Sequence, residues 1–274
     1  MGFKTSFRNR LDNILEKPVL TNTIVLFLAM LIVVGASIPF YIKGGFFSGI
    51  LQEAHGMLFD IAIIAILIYW LNDRGRTRQR IREYKDEIDD FRRWESEEAA
   101  FRTVGNIKRL NRNKIYNINL VNCYLAKTNL SDVNLKGSNL NSANLSSAIM
   151  VGANFTDTRL NQTNFENTNL NNAMMKGSFA SGANFKDAYL IKADFSDSFL
   201  IKADFENAYM MESKLTGCHL TGAEFKDANL YKVDFRGAEG LTIEQLSEAK
   251  SLYLSKFDDD LNEQVMELIP ELTG

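Results

Sequence analysis

Few residues in this chain have the type and spacing that catalysis or metal binding requires. There are two histidines, His55 and His219, and two cysteines, Cys123 and Cys218. The chain has no phosphate-binding GxxxxGK[ST] loop, GxSxG nucleophile turn, HExxH zinc pair or CxxC pair. No enzymatic activity, cofactor or metal is therefore expected. Two isolated thiols cannot make a disulfide framework, which suits a reducing compartment. The remaining group is Glu53, His55 and Asp60, beside the apolar run MLFDIAIIAILIYWL at 57–71. Ionisable side chains inside a membrane mark ion or proton pathways or pairing sites, whereas at the membrane edge water satisfies them. The sequence leaves both placements open. Gly44, Gly45 and Gly56 would bend a loop that keeps the three at the outer interface. A continuous helix would instead set Glu53 and Asp60 on one face, and a bundle of such helices could line a polar path.

A two-helix membrane hairpin over 20–72 would position that group. Residues 20–42, LTNTIVLFLAMLIVVGASIPFYI, carry no charge. At 1.5 Å per residue such a run spans a hydrocarbon core of roughly 30 Å. The second run is short for a span and reaches full length only if its helix starts near Phe46 or Ile50. Lys4, Arg8, Arg10 and Lys17 precede the hairpin, and Arg74, Arg76, Arg78, Arg80 and Arg82 follow it. The connecting loop has only Lys43. The positive-inside rule then places the amphipathic N-terminus (1–19), the C-terminus and everything after 72 in the cytoplasm. The expectation is a multi-pass protein of the inner (cytoplasmic) membrane. The MGFKTS start fits the myristoylation pattern, but a spanning hairpin makes a lipid redundant.

Residues 73–112 read as a charged linker helix and N-terminal cap. Ile81, Tyr84, Ile88 and Phe91 form a short seam at spacings of 3, 4 and 3. It suits either one solvated helix packing on the next domain or a self-associating stalk. Ala100, Phe101, Val104, Ile107 and Leu110 would continue the helix and cap the domain that begins near residue 113.

From Ile115 to Phe235 every fifth residue is large and apolar, with one exception. Of these 25 positions, 13 are Leu, seven Phe, three Met, one Ile and one Ala, the last being Ala180. A small side chain stands two residues before nearly every one, with no insertion or deletion. A period of five matches neither helix nor strand. It requires a chain that turns a corner every five residues, so that four sides close a square coil of about twenty residues whose stacked copies bury a common core. In that register Phe155, Phe195 and Phe235 stack on one side, and Phe165, Phe185, Phe205 and Phe225 on the opposite one. Ala180 beside Phe179 predicts either a cavity or a local twist that brings Phe179 inward. Cys123 and Cys218 fall at inward small positions and read as core filler.

The units ANLSS at 143–147, ANFTD at 153–157, ANFKD at 183–187 and ANLYK at 228–232 resemble the A(D/N)LXX pattern of the pentapeptide-repeat family. The resemblance implies a right-handed quadrilateral β-helix over 113–239, with the residue at i and the small one at i−2 inside. It also implies that 240–274 is a helical cap over the last coil's unpaired edge. It does not fix function.

Function must then come from the outward positions. Ile149, Val151, Tyr189, Ile191, Tyr209, Met211 and Tyr231 lie on one Leu side and should form a continuous apolar stripe. Phe199 and Ile201 form a smaller set on the opposite Leu side. A contiguous exposed patch of this kind marks an interface. The leading expectation is a membrane-anchored scaffold whose cytoplasmic rod binds a protein partner or assembles into a homo-oligomer. One alternative is an oligomeric membrane effector or pore acting in stress or phage defence. Another, implied by the resemblance, is a DNA mimic that occupies topoisomerases. The last fits poorly, because 115–239 holds 13 acidic and 11 basic side chains with the signs interspersed. The net charge of −3 and the pI near 5.6 likewise argue against nucleic-acid binding.

Overall fold

The computed structural model describes residue 28, residues 31–35 and 38–39, and residues 46–273. The chain divides into two compact units, Met1–Arg80 and Ile81–Gly274. The expected first span at 20–42 lies largely outside the described residues. Among those described, one helical stretch, His55–Asp90, is long and apolar enough to cross a membrane. It belongs to α1 (Phe46–Asp90), so Gly56 lies inside a helix and makes no bend into a loop.

The second unit begins with the end of α1. Ile88 is buried, and Ile81 and Tyr84 pack against the core of this unit. The seam therefore packs onto the domain, as the first of its two readings has it. The single helix expected over 73–112 is broken, because α2 (Glu97–Arg112) starts afresh with Ser96 as its N-cap. The Ser96 hydroxyl accepts from the Ala99 amide, and Glu97 and Glu98 complement the positive helix end. Ala100, Val104, Ile107 and Leu110 are buried, but Phe101 is 63% exposed and caps nothing.

Beyond α2 the chain forms a quadrilateral β-helix. Parallel bridges link residues twenty apart, as in Asn129↔Ile149↔Asn169↔Tyr189↔Tyr209↔Asn229. Each side contributes one bridge per coil, so no extended strand forms among the described residues. Every fifth residue from Asn122 to Gly237 has positive φ, and the amide after it bonds back three residues, as Ala143 does to the Leu140 carbonyl at 2.9 Å, except after Lys127, where the Thr128 hydroxyl donates to the Leu125 carbonyl at 2.6 Å. Each corner is thus a type II turn, which needs the left-handed region at its third residue. Gly152 and Gly217 suit two of these corners doubly, because a Cβ there would lie 2.7 and 2.8 Å from the carboxylates of Asp132 and Asp197.

Inside, the large residues are sealed: Leu120 through Leu230 at this position show no exposure, and Phe235 shows 2%. Phe165, Phe185, Phe205 and Phe225 stack with centroids 5.0, 5.0 and 5.4 Å apart. The other expected Phe ladder is interleaved, since Met175 and Leu215 stand between its three rings. Rings ten residues apart meet edge to face across the core, Phe185 with Phe195 at 5.6 Å and Phe195 with Phe205 at 6.0 Å. Phe179 does not turn inward: it stays 43% exposed while Ala180 fills the core position. Its amide keeps the regular bond to the Thr158 carbonyl at 2.9 Å, which holds the side chain outward. Buried hydroxyls donate to carbonyls of the preceding coil, Thr163 to Leu140 at 2.8 Å and Thr168 to Leu145 at 2.9 Å.

Both ends of the solenoid are closed, which removes the usual edge hazard. At the start, the Asn111 side chain accepts from the Asn134 amide at 2.7 Å and donates to its carbonyl at 2.9 Å, standing in for a missing coil. Arg92 donates to the Val121 carbonyl at 2.6 Å. At the far end, 240–274 is not wholly helical. After α3 (Ile243–Ser247) the chain adds half a coil, bridging Asn229↔Ser251 and Asp234↔Lys256, with Leu252 and Phe257 inward. Gln245 donates to the Leu220 and Ala223 carbonyls at 3.0 and 2.6 Å. α4 (Asp259–Leu268) and a 3-10 turn (Pro270–Leu272) finish the cap.

Candidate interaction faces

Each coil presents three outward positions per side, and local chemistry decides what stands there. The residue before the inward one is usually Asn or Asp, whose side-chain oxygen accepts from the amide two residues on. Asn144 does so from Ser146, Asn184 from Lys186 and Asp204 from Glu206, each at 3.0 Å. This is an Asx turn that prepares the corner. An aromatic or aliphatic residue at that position forgoes the bond, so such departures mark places the fold does not require.

Both Phe sides mostly keep the rule and add ion pairs between coils. Lys186 reaches Glu206 at 2.7 Å and Asp204 at 3.1 Å, and Lys226 approaches Glu206 at 3.5 Å. The Glu206 bond, and then the Asp204 bond, hold the Lys186 ammonium above its usual range, and Lys186 holds the Glu206 carboxyl below its own.

The two Leu sides depart from the rule. On one, Tyr189 and Tyr209 stack at 5.1 Å and are 45% and 42% exposed, with Ile191 and Met211 beside them. Tyr231 continues the Ile191–Met211 column, next to Asn229, and stacks on Tyr253 at 5.9 Å. Ile149 and Val151 are on the same side, but Asn169 and Asn171 separate them from the rest, so the expected stripe is interrupted. Asn171 has a local task, since its oxygen accepts from the Ile191 amide at 2.9 Å where Tyr189 supplies no Asx turn. Asn161 does the same for Ser181 next to Phe179, at 3.0 Å. The patch therefore runs from Tyr189 to Tyr253 and Leu254. Sequence reasoning missed those last two because a two-residue insertion shifts the register past 239; Leu252 and Phe257, again five apart, were the available signal.

The opposite Leu side carries its own column. Phe179 stacks on Phe199 at 5.1 Å, Phe199 on His219 at 4.5 Å, and His219 Nδ1 lies 2.9 Å from Glu239. Ile201 is exposed beside Phe199.

Neither thiol is poised for chemistry beside these faces. Burial pushes the Cys123 thiol up to about 11 and the Cys218 thiol up to about 12. Cys218 also donates to the Phe195 carbonyl at 2.9 Å. Neither supplies a thiolate near neutral pH. Cys123 borders an open cleft of about 440 Å³ with Arg93, Glu95, Tyr124 and Ser142 at the first coil. Among the described residues no His, Cys, Asp and Glu group is arranged to hold a metal ion.

In the first unit, Glu53 and Asp60 are exposed on α1 and His55 is half-buried. The less exposed residues of this segment, His55, Ala62, Ile66, Tyr69 and Asp73, recur at helical spacing on one face. Glu53, Gly56, Asp60, Leu67 and Leu71 are exposed on the other. Arg74 lies over the Trp70 ring at 3.8 Å.

Stacked square coils with inward large and small residues, turned corners and closed ends define a solenoid domain. Residues 118–157, 148–187, 176–207, 188–217 and 203–239 match pentapeptide repeats, in eight copies, so this region is a run of pentapeptide repeats. Among solved structures, full-length QnrB1, a plasmid-mediated fluoroquinolone resistance protein, is 20% identical, with a TM-score of 0.46 over 53% of this chain and 72% of that one. HetL, a protein involved in heterocyst differentiation regulation from Nostoc sp. strain PCC 7120, is 22% identical, with a TM-score of 0.23 over 51% and 74%. Rfr23 from Cyanothece 51142 is 21% identical, with a TM-score of 0.19 over 56% and 98%. No curated protein matches the chain.

Proposed function

We propose that this protein is a non-catalytic, membrane-anchored scaffold whose β-helix docks protein partners, including further copies of itself, through the Tyr189–Tyr253 face. The observation that carries this reading is a pair of adjacent columns, Tyr189–Tyr209 and Ile191–Met211–Tyr231–Tyr253, which stand where the repeat asks for Asn or Asp or leaves the choice free. Closed ends disfavour end-to-end stacking and leave the sides for association. Rigid stacked tyrosines present large contact area at small entropic cost.

Anchoring rests on α1. Phe59, Ile61, Ile64, Leu67 and Leu71 are all more than half exposed, on most of the helix circumference. An apolar helix with so little cover suits lipid. Arg74 and Arg78 lie on one side of it and Arg76 and Arg80 on the other, at about 100° per residue. That cuff, with Trp70 above it, suits a helix that crosses an interface; one lying flat would gather its cations on one face.

The test is the mass of the detergent-purified protein and its co-purifying partners when Tyr189, Ile191, Tyr209 and Met211 are changed to Ser. A smaller assembly or lost partners is expected. An unchanged mass with an unchanged partner set would overturn the docking face. A pore reading draws support from Asp60, exposed on an apolar helix. Expression with a membrane-potential dye separates the two, because a scaffold leaves cells polarised and a pore does not.

A further inference from the structure

The anchoring reading fixes how deep each polar residue of α1 would lie, and one of them has no water within reach. With the boundary set at Leu71 by Trp70 and the arginine cuff, Asp60 lies about 16 Å inside, at 1.5 Å rise per residue. That is the middle of a hydrocarbon core of roughly 30 Å. Glu53 and His55 lie about 27 and 24 Å from the same boundary, close enough to the far side to reach its headgroups. The interfacial reading therefore suits Glu53 and His55 but not Asp60.

Asp60 is also turned away from the chain's own cover. The less exposed face of α1, with Ala62 at 5% exposure, points opposite to it. Around Asp60, within about 40° at 100° per residue, stand Gly56, Ile64, Leu67 and Leu71. All four are exposed. A Cβ on Gly56 would meet nothing within 4 Å, so a second backbone can approach there closely. An ionisable side chain facing lipid at this depth is costly and calls for a polar partner at the same level. A second copy of the chain related by symmetry about the membrane normal supplies one automatically, because its Asp60 lies at the same depth.

We propose that the α1 face carrying Gly56, Asp60 and Leu67 is where copies of this chain meet within the membrane, with Asp60 of each hydrogen-bonded to its counterpart. This rests on the anchoring reading and is independent of the Tyr189–Tyr253 face. In such a pair the carboxylic O–H of one copy donates and a carboxyl oxygen of the other accepts.

The experiment uses the full chain in native membranes, with Leu67→Cys or Ile66→Cys and a membrane-permeant bismaleimide. The buried Cys123 and Cys218 serve as the unreactive background. Leu67→Cys should cross-link to multiples of the chain mass, and Ile66→Cys, about 100° round the helix on the less exposed face, should not. Adding Asp60→Leu should weaken the association read by cross-linking about three- to thirtyfold, the range for one interhelical hydrogen bond. Asp60→Asn, which still donates and accepts, should retain it. Equal cross-linking at 66 and 67, an adduct of foreign mass, or indifference to Asp60→Leu would overturn the proposal while leaving the anchor intact. Release of the wild-type chain by alkaline carbonate would overturn the anchor itself, and the proposal with it.

Discussion

The apolar stretch of α1 and the interior of the β-helix are made from the same side chains, which end in opposite surroundings. Phe185, Phe205 and Leu190 show no exposure, while Phe59, Ile61 and Leu67 are 53%, 62% and 52% exposed. In the solenoid, each coil covers the one before it, and the caps cover the first and last. In α1 a single helix cannot cover itself, so its apolar surface needs lipid or another helix. Composition therefore says little about environment; the period of the pattern says much more. Five-residue spacing gives every large residue an inward place, whereas an unbroken apolar run on a helix gives it all directions.

The largest expected effect is loss of that distinction on removing the first unit. A fragment beginning at Ile81 should stay dispersed in sedimentation without detergent, where the full chain should require it. Matching behaviour of the two would erase the contrast between helix and solenoid. Next comes a pair of single changes. Phe185→Ala removes a ring stacked on both neighbours and should cost about 3–5 kcal/mol in denaturant unfolding. Phe59→Ala, outside the solenoid, should leave that transition in place. The smallest effect concerns Ser213, whose buried hydroxyl has no hydrogen-bond partner, unlike Ser198 at the equivalent small position of another side. Ser213→Ala should be neutral or stabilise by up to about 1 kcal/mol, read as a rise in Tm.

Much of the fold was legible because its rule is local. A corner every five residues, with a small residue two before each large one, dictates inward and outward positions without knowledge of distant contacts. The buried Cys123 and Cys218 and the Phe165–Phe225 stack follow from that register alone. The misreadings occurred where the rule stops. Phe101 has an apolar side chain at helical spacing, but only the docked orientation of α2 decides that it faces solvent. The half coil at Ser251–Phe257 was hidden by a two-residue insertion.

For the candidate faces, the sequence determined which residues point outward, and so named Tyr189, Ile191, Tyr209, Met211 and Tyr231. It could not determine which of them touch. Only the stacked coils decided that Asn169 and Asn171 cut off Ile149 and Val151, and that Tyr253 joins Tyr231. The reason is that direction follows from φ and ψ within one repeat, whereas adjacency follows from hydrogen bonds between residues twenty or more apart. The same division holds in α1. Sequence put Asp60 in an apolar run and, at helical spacing, opposite Ala62; the folded chain decided that the Ala62 face is the covered one.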